Sequence, residues 1–382
     1  MTKLPILTGA LLCAFSSFAT ELSVEEQRIE KATQAMPNVL TAFSTQVEQF
    51  EKQWRQAQNF AQAKALVQEY AHQLWQDAKA RIAATQSYDD RELYWARLLS
   101  SKVIRSITTG YAMSETEQNV LLNLLEQGSR GQSDLEYTHN TSKKILLTGF
   151  DPFLLDRNIN QSNPSGVAAL LLDGQVISHD GIDAQINTVM IPVRYEDFDQ
   201  GMIEALLAPY YALNSVDMVV TVSMGRTDFD LERFPGKRRS VTAPDNANIV
   251  YGGTQTAPKI SSLNGRPLPG NEFVEFSLPV AHMQQAKGPY KINDNHEVTT
   301  LEKTFKPKSL SELEGAVAVN GGGGGYLSNE ISYRSIRLRN ELNSDIPTGH
   351  IHTPRIQQFE PETEAKIVQQ IRTMLELSLK AL

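Results

Sequence analysis

Lys144-Ile145-Leu146-Leu147-Thr148-Gly149-Phe150-Asp151-Pro152-Phe153 is the stretch on which the fold class turns. Its opening residues form a short apolar run that ends at a Gly149 turn, the pattern of a strand. Runs at Ile186 to Ile191, Val216 to Val222 and Ala316 to Val319 are apolar on both faces, as buried parallel strands are, and helical stretches lie between them. Asn163-Pro164 reads as the cap and first residue of a helix through Val167, Leu170 and Leu171. Pro361 opens a last helix with Ile367, Ile371, Leu375 and Leu379 along one face. This alternation predicts an α/β fold, an α/β/α sandwich with a mostly parallel sheet, over residues 141–382. The segment from Ala247 to Leu313 is rich in Gly, Pro and Asn and poorly periodic, and reads as inserted loops without an assigned function.

Upstream the sequence changes character. No proline lies between Asn38 and Asp151, and the only glycines there are Gly110, Gly128, Gly131 and Gly149. Such a stretch is helical by default, so residues 20–140 are expected to form an all-α domain of about four or five helices. Trp95, Leu99 and Val103 recur at helical spacing, and Ser114 with Glu117 makes a capping box for a helix that stops at Gly128. Trp54, Trp75 and Trp95 are read as core residues. The polar run from Ser129 to Ser142 is written like a linker. Nothing in the helical domain selects among covering a site, binding a partner or forming homo-oligomers.

Residues 1–19 read as a cleavable signal peptide: Lys3, an apolar core from Ile6 to Phe15, then Ser17-Phe18-Ala19. The expectation is an exported, periplasmic protein. The apolar core is shorter than the roughly 20 residues a membrane-spanning helix needs, and no later stretch is long enough. Cys13, the only cysteine, lies inside this segment, so the mature chain would hold neither a disulfide nor a thiolate nucleophile. With 36 Lys plus Arg against 44 Asp plus Glu and no basic block, nucleic acid is not an expected partner.

Three segments near predicted strand ends carry candidate chemistry. They are Gly225-Arg226-Thr227 with Leu231-Glu232-Arg233 and Pro244-Asp245-Asn246; Gly324-Gly325-Tyr326-Leu327-Ser328-Asn329; and Gly349-His350-Ile351-His352-Thr353-Pro354. In open α/β sheets functional groups gather at the carboxyl ends of strands. Each segment has a plainer reading. Ser328 is an ordinary helix N-cap residue, Glu232 stands among Arg233, Lys237, Arg238 and Arg239 as in a solvated ion-pair network, and Phe150, Phe153 and Asn163 suit a packed loop with an Asn cap. His350 and His352 alternate on a strand and face the same way, which invites a zinc reading, but a third ligand is not apparent. The Gly321–Gly325 run lacks the Lys-Ser or Lys-Thr pair of a P-loop.

Taken together and in order, these segments resemble the pyroglutamyl peptidases, or pyrrolidone-carboxylate peptidases, a cysteine-peptidase family. The resemblance starts at Leu147-Thr148-Gly149-Phe150-Asp151-Pro152-Phe153, continues at Asn163-Pro164-Ser165 and covers most of residues 143–382. It implies a catalytic Glu232, a nucleophile at Ser328 where the family has cysteine, and a catalytic His352. It also implies that Phe150 and Phe153 line the pocket for an uncharged lactam ring, with Asn163 close by as a substrate-binding residue. The implied activity is removal of N-terminal 5-oxoproline from a peptide substrate, with no cofactor or metal. A serine gains no ground-state ionisation comparable to a thiol at a helix N-terminus, so His352 would act as general base, oriented by Glu232. Thr242 stands where the family's arginine is expected. The glycine run is richer than the family's, and could aim amide N–H groups at an oxyanion. A catalytically silent binding protein or scaffold is the rival expectation.

Overall fold

A computed structural model describes residues 21–382; the expected signal peptide falls outside them. Seven strands form the central sheet: β1 Lys143–Phe150, β2 Val176–His179, β3 Ile182–Ile191, β4 Met218–Met224, β5 Phe229–Glu232, β6 Ile292–Asn295 and β7 Thr348–Thr353. Their order is β6-β5-β7-β4-β1-β3-β2, with β1 parallel to β3 and β4, β7 parallel to β4 and β6 parallel to β5. Only β2–β3 and β5–β7 pair antiparallel. The α/β/α expectation holds. β1 is buried from Ile145 to Phe150, with Ile145 and Leu147 facing one core and Leu146 and Phe150 the other.

One face is covered by the helices Pro164–Leu172 and Pro361–Ser378, the other by Met202–Leu213 and Leu327–Glu341. Two sequence expectations need correction here. Ala318–Asn320 is not a strand of the central sheet but joins a separate three-stranded antiparallel sheet with Val298–Thr300 and Thr304–Phe305. Residues 247–313 are not loops alone, since they supply the edge strand β6. An edge strand with the sequence Ile-Asn-Asp-Asn offers the core only Ile292, so hydrophobic periodicity does not reveal it.

The helical region is led by Ser44–Gln56, Phe60–Thr85, Arg91–Ser106 and Glu115–Gly128, with shorter helices before them. Ser114 and Glu117 make the capping box in both directions. Trp54, Trp75 and Trp95 are fully buried. Leu74, Trp75, Ala78, Ile82, Leu93 and Ala96 share one hydrophobic cluster with Ile145 and Leu147 of the sheet and Val167 of the helix Pro164–Leu172, so the helices pack directly on the α/β core.

The run from Ser129 is not a free linker at its start. Ser129 and Arg130 are buried. Arg97 donates to the Ser129 hydroxyl at 2.9 Å and to Asp151 at 3.1 Å, and Arg130 donates to the other Asp151 oxygen at 2.6 Å. Gly131 lies at φ +82 against the Trp75 ring, where a Cβ would come within 2.7 Å of ring carbon. Polar composition here marks an interior ion-pair network. Arg28 adds a second tie, donating to Asp156 and to the Asn246 carbonyl.

Because Asp151 is fully buried, removing Arg97 leaves one of its oxygens without a donor while Arg130 still pairs with the other, a loss of about 1–3 kcal/mol. Arg97→Met is therefore expected to lower the urea midpoint by a comparable free energy, whereas a conservative surface change such as Lys52→Gln leaves it within about 0.5 kcal/mol.

A second buried group adds a pH dependence. Glu364 is buried, accepts from Ser162 at 2.6 Å, and its other oxygen has no partner among the described residues. Burial pushes its pKa up to about 8. The folded state thus holds a proton that the unfolded chain loses near 4.5, so this contribution is full at low pH and lost as pH rises toward 8. Urea midpoints measured at about pH 5 and about pH 8 should show a smaller fall in Glu364→Gln than in the wild type.

Candidate active site

Sheet register builds the site. β7 runs beside β4 with His352 opposite Ser223 and His350 opposite Thr221. On its other side β7 pairs antiparallel with β5, setting Ile351 opposite Leu231. Glu232 is the last residue of β5, and its side chain reaches His352: Nδ1 lies 2.6 Å from Glu232 Oε1. Both are buried, Glu232 completely. A proton on Nδ1 directed at the carboxylate leaves Nε2 as a lone pair, the tautomer a general base requires. Nε2 makes no hydrogen bond among the described residues.

Glu232 is therefore not a member of a solvated charge cluster. Arg233 pairs with Asp294 and Glu275, Arg238 with Glu272, and Arg239 with Asp199 and Glu330. The second Glu232 oxygen accepts from Asn295 Nδ2 at 2.9 Å. Asn295 stands opposite Glu232 in the β5–β6 register, and its Nδ2 also donates to the Gly322 carbonyl at 3.2 Å. Sequence reading missed this residue, because it lies in the aperiodic segment.

The glycine run is explained by close approach. A Cβ on Gly322 would lie 2.3 Å from Glu232 Oε2, one on Gly321 2.1 Å from Asn329 Oδ1, and one on Gly325 1.9 Å from Ser240 Oγ. Gly321 and Gly324 exchange two backbone hydrogen bonds at 2.9 Å, and Gly322 N–H donates to Phe234 O at 3.1 Å. Those three amides are engaged by carbonyls and do not point at an oxyanion, whereas the Gly323 and Gly325 N–H groups make no hydrogen bond among the described residues. Asn329 braces the loop, accepting from Gly236 N–H and donating to Gly236 O.

Ser328 is the second residue of the helix Leu327–Glu341, whose N-cap is Tyr326, so Ser328 does not cap it. First-turn N–H groups lack intrahelical acceptors and favour negative charge. The Ser328 hydroxyl donates to Gly323 O at 3.3 Å and makes no hydrogen bond to His352.

Phe150, Phe153, Asn163, Val193, Ser223, Met224, Tyr326, Leu327 and Ser328 surround a narrow pocket of about 30 Å³. Phe150 stacks toward Phe198 with ring centroids 6.4 Å apart. Asn163 caps the helix Pro164–Leu172: its Oδ1 accepts from Ser165 N–H and Oγ, and its Nδ2 donates to Asp151 O. The structure thus joins Glu232 to His352, gathers Ser328, Phe150, Phe153 and Asn163 around one pocket, and leaves the two groups unlinked by a hydrogen bond. His350 has both ring nitrogens hydrogen-bonded, to Thr221 and Ser223, which opposes the zinc reading of the histidine pair.

The fold and this pair define an α/β protein with a buried carboxylate–imidazole couple at the carboxyl ends of its strands. The chain belongs to the PA0049 family. Residues 9–126 match the family model described as PA0049 N-terminal domain, and residues 144–275 and 280–357, more than half the chain, match PA0049, C-terminal domain. A Pseudomonas aeruginosa relative, "Uncharacterized protein PA0049", is 27% identical over 390 residues, covering 78% of this chain and 70% of its own. Among solved structures, a mutant pyrrolidone carboxyl peptidase from Pyrococcus furiosus matches at 21% identity and a TM-score of 0.41, covering 63% of this chain and 99% of that one. Structures of the peptidase from the same organism and its cysteine-free mutant match at 20% identity and a TM-score of 0.40, over 62% and 99%.

Truncating Asn295 leaves a buried Glu232 oxygen without its side-chain donor, a loss of about 1–3 kcal/mol. Asn295→Ala is expected to destabilise the fold by that amount in urea titration, and an unchanged midpoint would show that water replaces the amide.

Proposed function

We propose that this protein is an exported hydrolase that cleaves the amide after an N-terminal 5-oxoproline or a similar lactam, with Ser328 as nucleophile, His352 as general base and Glu232 as the acid that orients it. The observation that carries this reading is the 2.6 Å Glu232–His352 contact, buried, with a free Nε2, in a strand whose neighbour lines the pocket that holds Ser328. The leader-like residues 1–19 support export.

In this mechanism the Ser328 hydroxyl leaves Gly323 O and turns to His352 Nε2 as substrate enters. Its oxygen attacks the scissile carbonyl while its proton passes to Nε2. Glu232 holds Nδ1–H and stabilises the imidazolium, which then protonates the departing amine. Water repeats the sequence on the acyl-serine, releasing the lactam acid. Phe150 and Phe153 offer flat apolar walls to an uncharged ring.

A second reading follows from the Ser328–Gly323 hydrogen bond: a hydroxyl held away from the imidazole suits a protein that binds such peptides without cleaving them. One assay separates the two. Hydrolysis of a chromogenic pyroglutamyl amide should fall by about 10³-fold or more in Ser328→Ala and in His352→Ala, and be insensitive to iodoacetamide in the mature protein. Binding of the amide with turnover no greater than that of Ser328→Ala selects the binding protein.

A further inference from the structure

The pocket holds a polar element that the proposed triad does not use. His350 is fully buried, with Nδ1 2.7 Å from Thr221 Oγ1 and Nε2 2.8 Å from Ser223 Oγ. Burial, with the neighbouring His352, keeps its pKa well below the usual histidine value, so the ring is neutral and carries a single N–H. Two proton arrangements are open to the chain. Either Nδ1–H donates to Thr221, which donates on to Gly349 O at 3.3 Å, and Ser223 donates to Nε2; or Thr221 donates to Nδ1 and Nε2–H donates to Ser223. A hydroxyl has one proton and two lone pairs. In both arrangements Ser223 therefore keeps a lone pair for something else.

Asn163 is engaged, and the hydroxyl protons of Tyr326 and Ser328 are committed; Ser328, which keeps lone pairs as Ser223 does, is reserved for the attack in the proposed mechanism. Asn163 uses its oxygen on Ser165 and its amide on Asp151 O, the Tyr326 hydroxyl donates to Pro244 O, and the Ser328 hydroxyl donates to Gly323 O. The remaining walls, Phe150, Phe153, Val193, Met224 and Leu327, are apolar. An N–H buried in such a pocket without an acceptor is costly.

We propose that Ser223, held by His350, is a specificity-determining residue whose Oγ accepts a hydrogen bond from the ring N–H of the ligand, so that the pocket selects lactams over lactones and carbocycles. This rests on the lactam pocket proposed above. In the first arrangement, the one that gives every proton an acceptor, the Ser223 hydroxyl is committed to Nε2, so a ring oxygen in place of N–H would set lone pair against lone pair and discrimination has a repulsive part as well as an attractive one.

The test is an NMR binding titration with 5-oxoprolinamide and with its counterpart in which oxygen replaces the ring N–H. Wild-type protein should bind the lactam about tenfold more tightly. Ser223→Ala should weaken the lactam and tighten the lactone until the preference vanishes, Ser223→Thr should retain it, and His350→Phe should reduce it, with melting temperatures confirming that each variant is folded. A simple packing role for Ser223 would move both ligands together. A lactam preference unchanged in Ser223→Ala, with Ser328-dependent hydrolysis intact, overturns this assignment and leaves the hydrolase reading standing. Failure of the wild type to bind either ligand, with no hydrolysis of the pyroglutamyl amide, overturns both.

Discussion

The carboxylate of Asp151 is the constraint around which the rest is arranged. It is fully buried, and a charge in the interior is tolerated only when it is paired and hydrogen-bonded. Its partners, Arg97 and Arg130, both come from the helical side of the molecule. The loop after β1 can therefore close in this way only with the helices seated. That loop carries Phe153 and follows directly on Phe150, the last residue of β1, and the Asp151 carbonyl holds the Asn163 amide. The helical region thus shapes the pocket wall without lining the pocket itself.

Beyond that loop, the site is a product of strand register. His352 and Ser223 are brought side by side by the β7–β4 pairing, and Asn295 is brought to Glu232 by β6–β5. Side chains two residues apart share a face, so His350 and Thr221 fall beneath His352 and Ser223 and form a buried polar layer under the pocket floor. Gly225 permits this crowding: a Cβ there would lie 2.6 Å from the His352 Cβ. Gly322 does the same for Glu232. Two elements of the site, a strand end and a glycine loop, are thus pressed together at positions where no larger residue fits.

Much of this was legible in the chain. The apolar run Ile145–Leu147, the Asn163-Pro164 helix start and the capping box at Ser114 are local signals, and local signals survive tertiary packing when burial and propensity agree. The buried tryptophans were legible for the same reason. The polar run at Ser129 and Arg130 was misleading because polarity usually means solvent, and here it serves an interior ion pair. β6 was invisible because an edge strand made of Asn and Asp carries no hydrophobic period. The placement of Ala318–Asn320 was misjudged because a short apolar run does not say which sheet it joins.

By itself the sequence determined the fold class and the helical character of the first third. Those properties follow from side-chain chemistry and from periodicities of two and 3.6 residues, which need only near neighbours. Only the tertiary structure decided that Glu232 meets His352, that Asn295 supports it, that Ser328 turns toward Gly323, and that the pocket-lining Ser223 bonds His350. Each of those is a contact between residues far apart in the chain, chosen by strand register and burial, and no local pattern encodes a register.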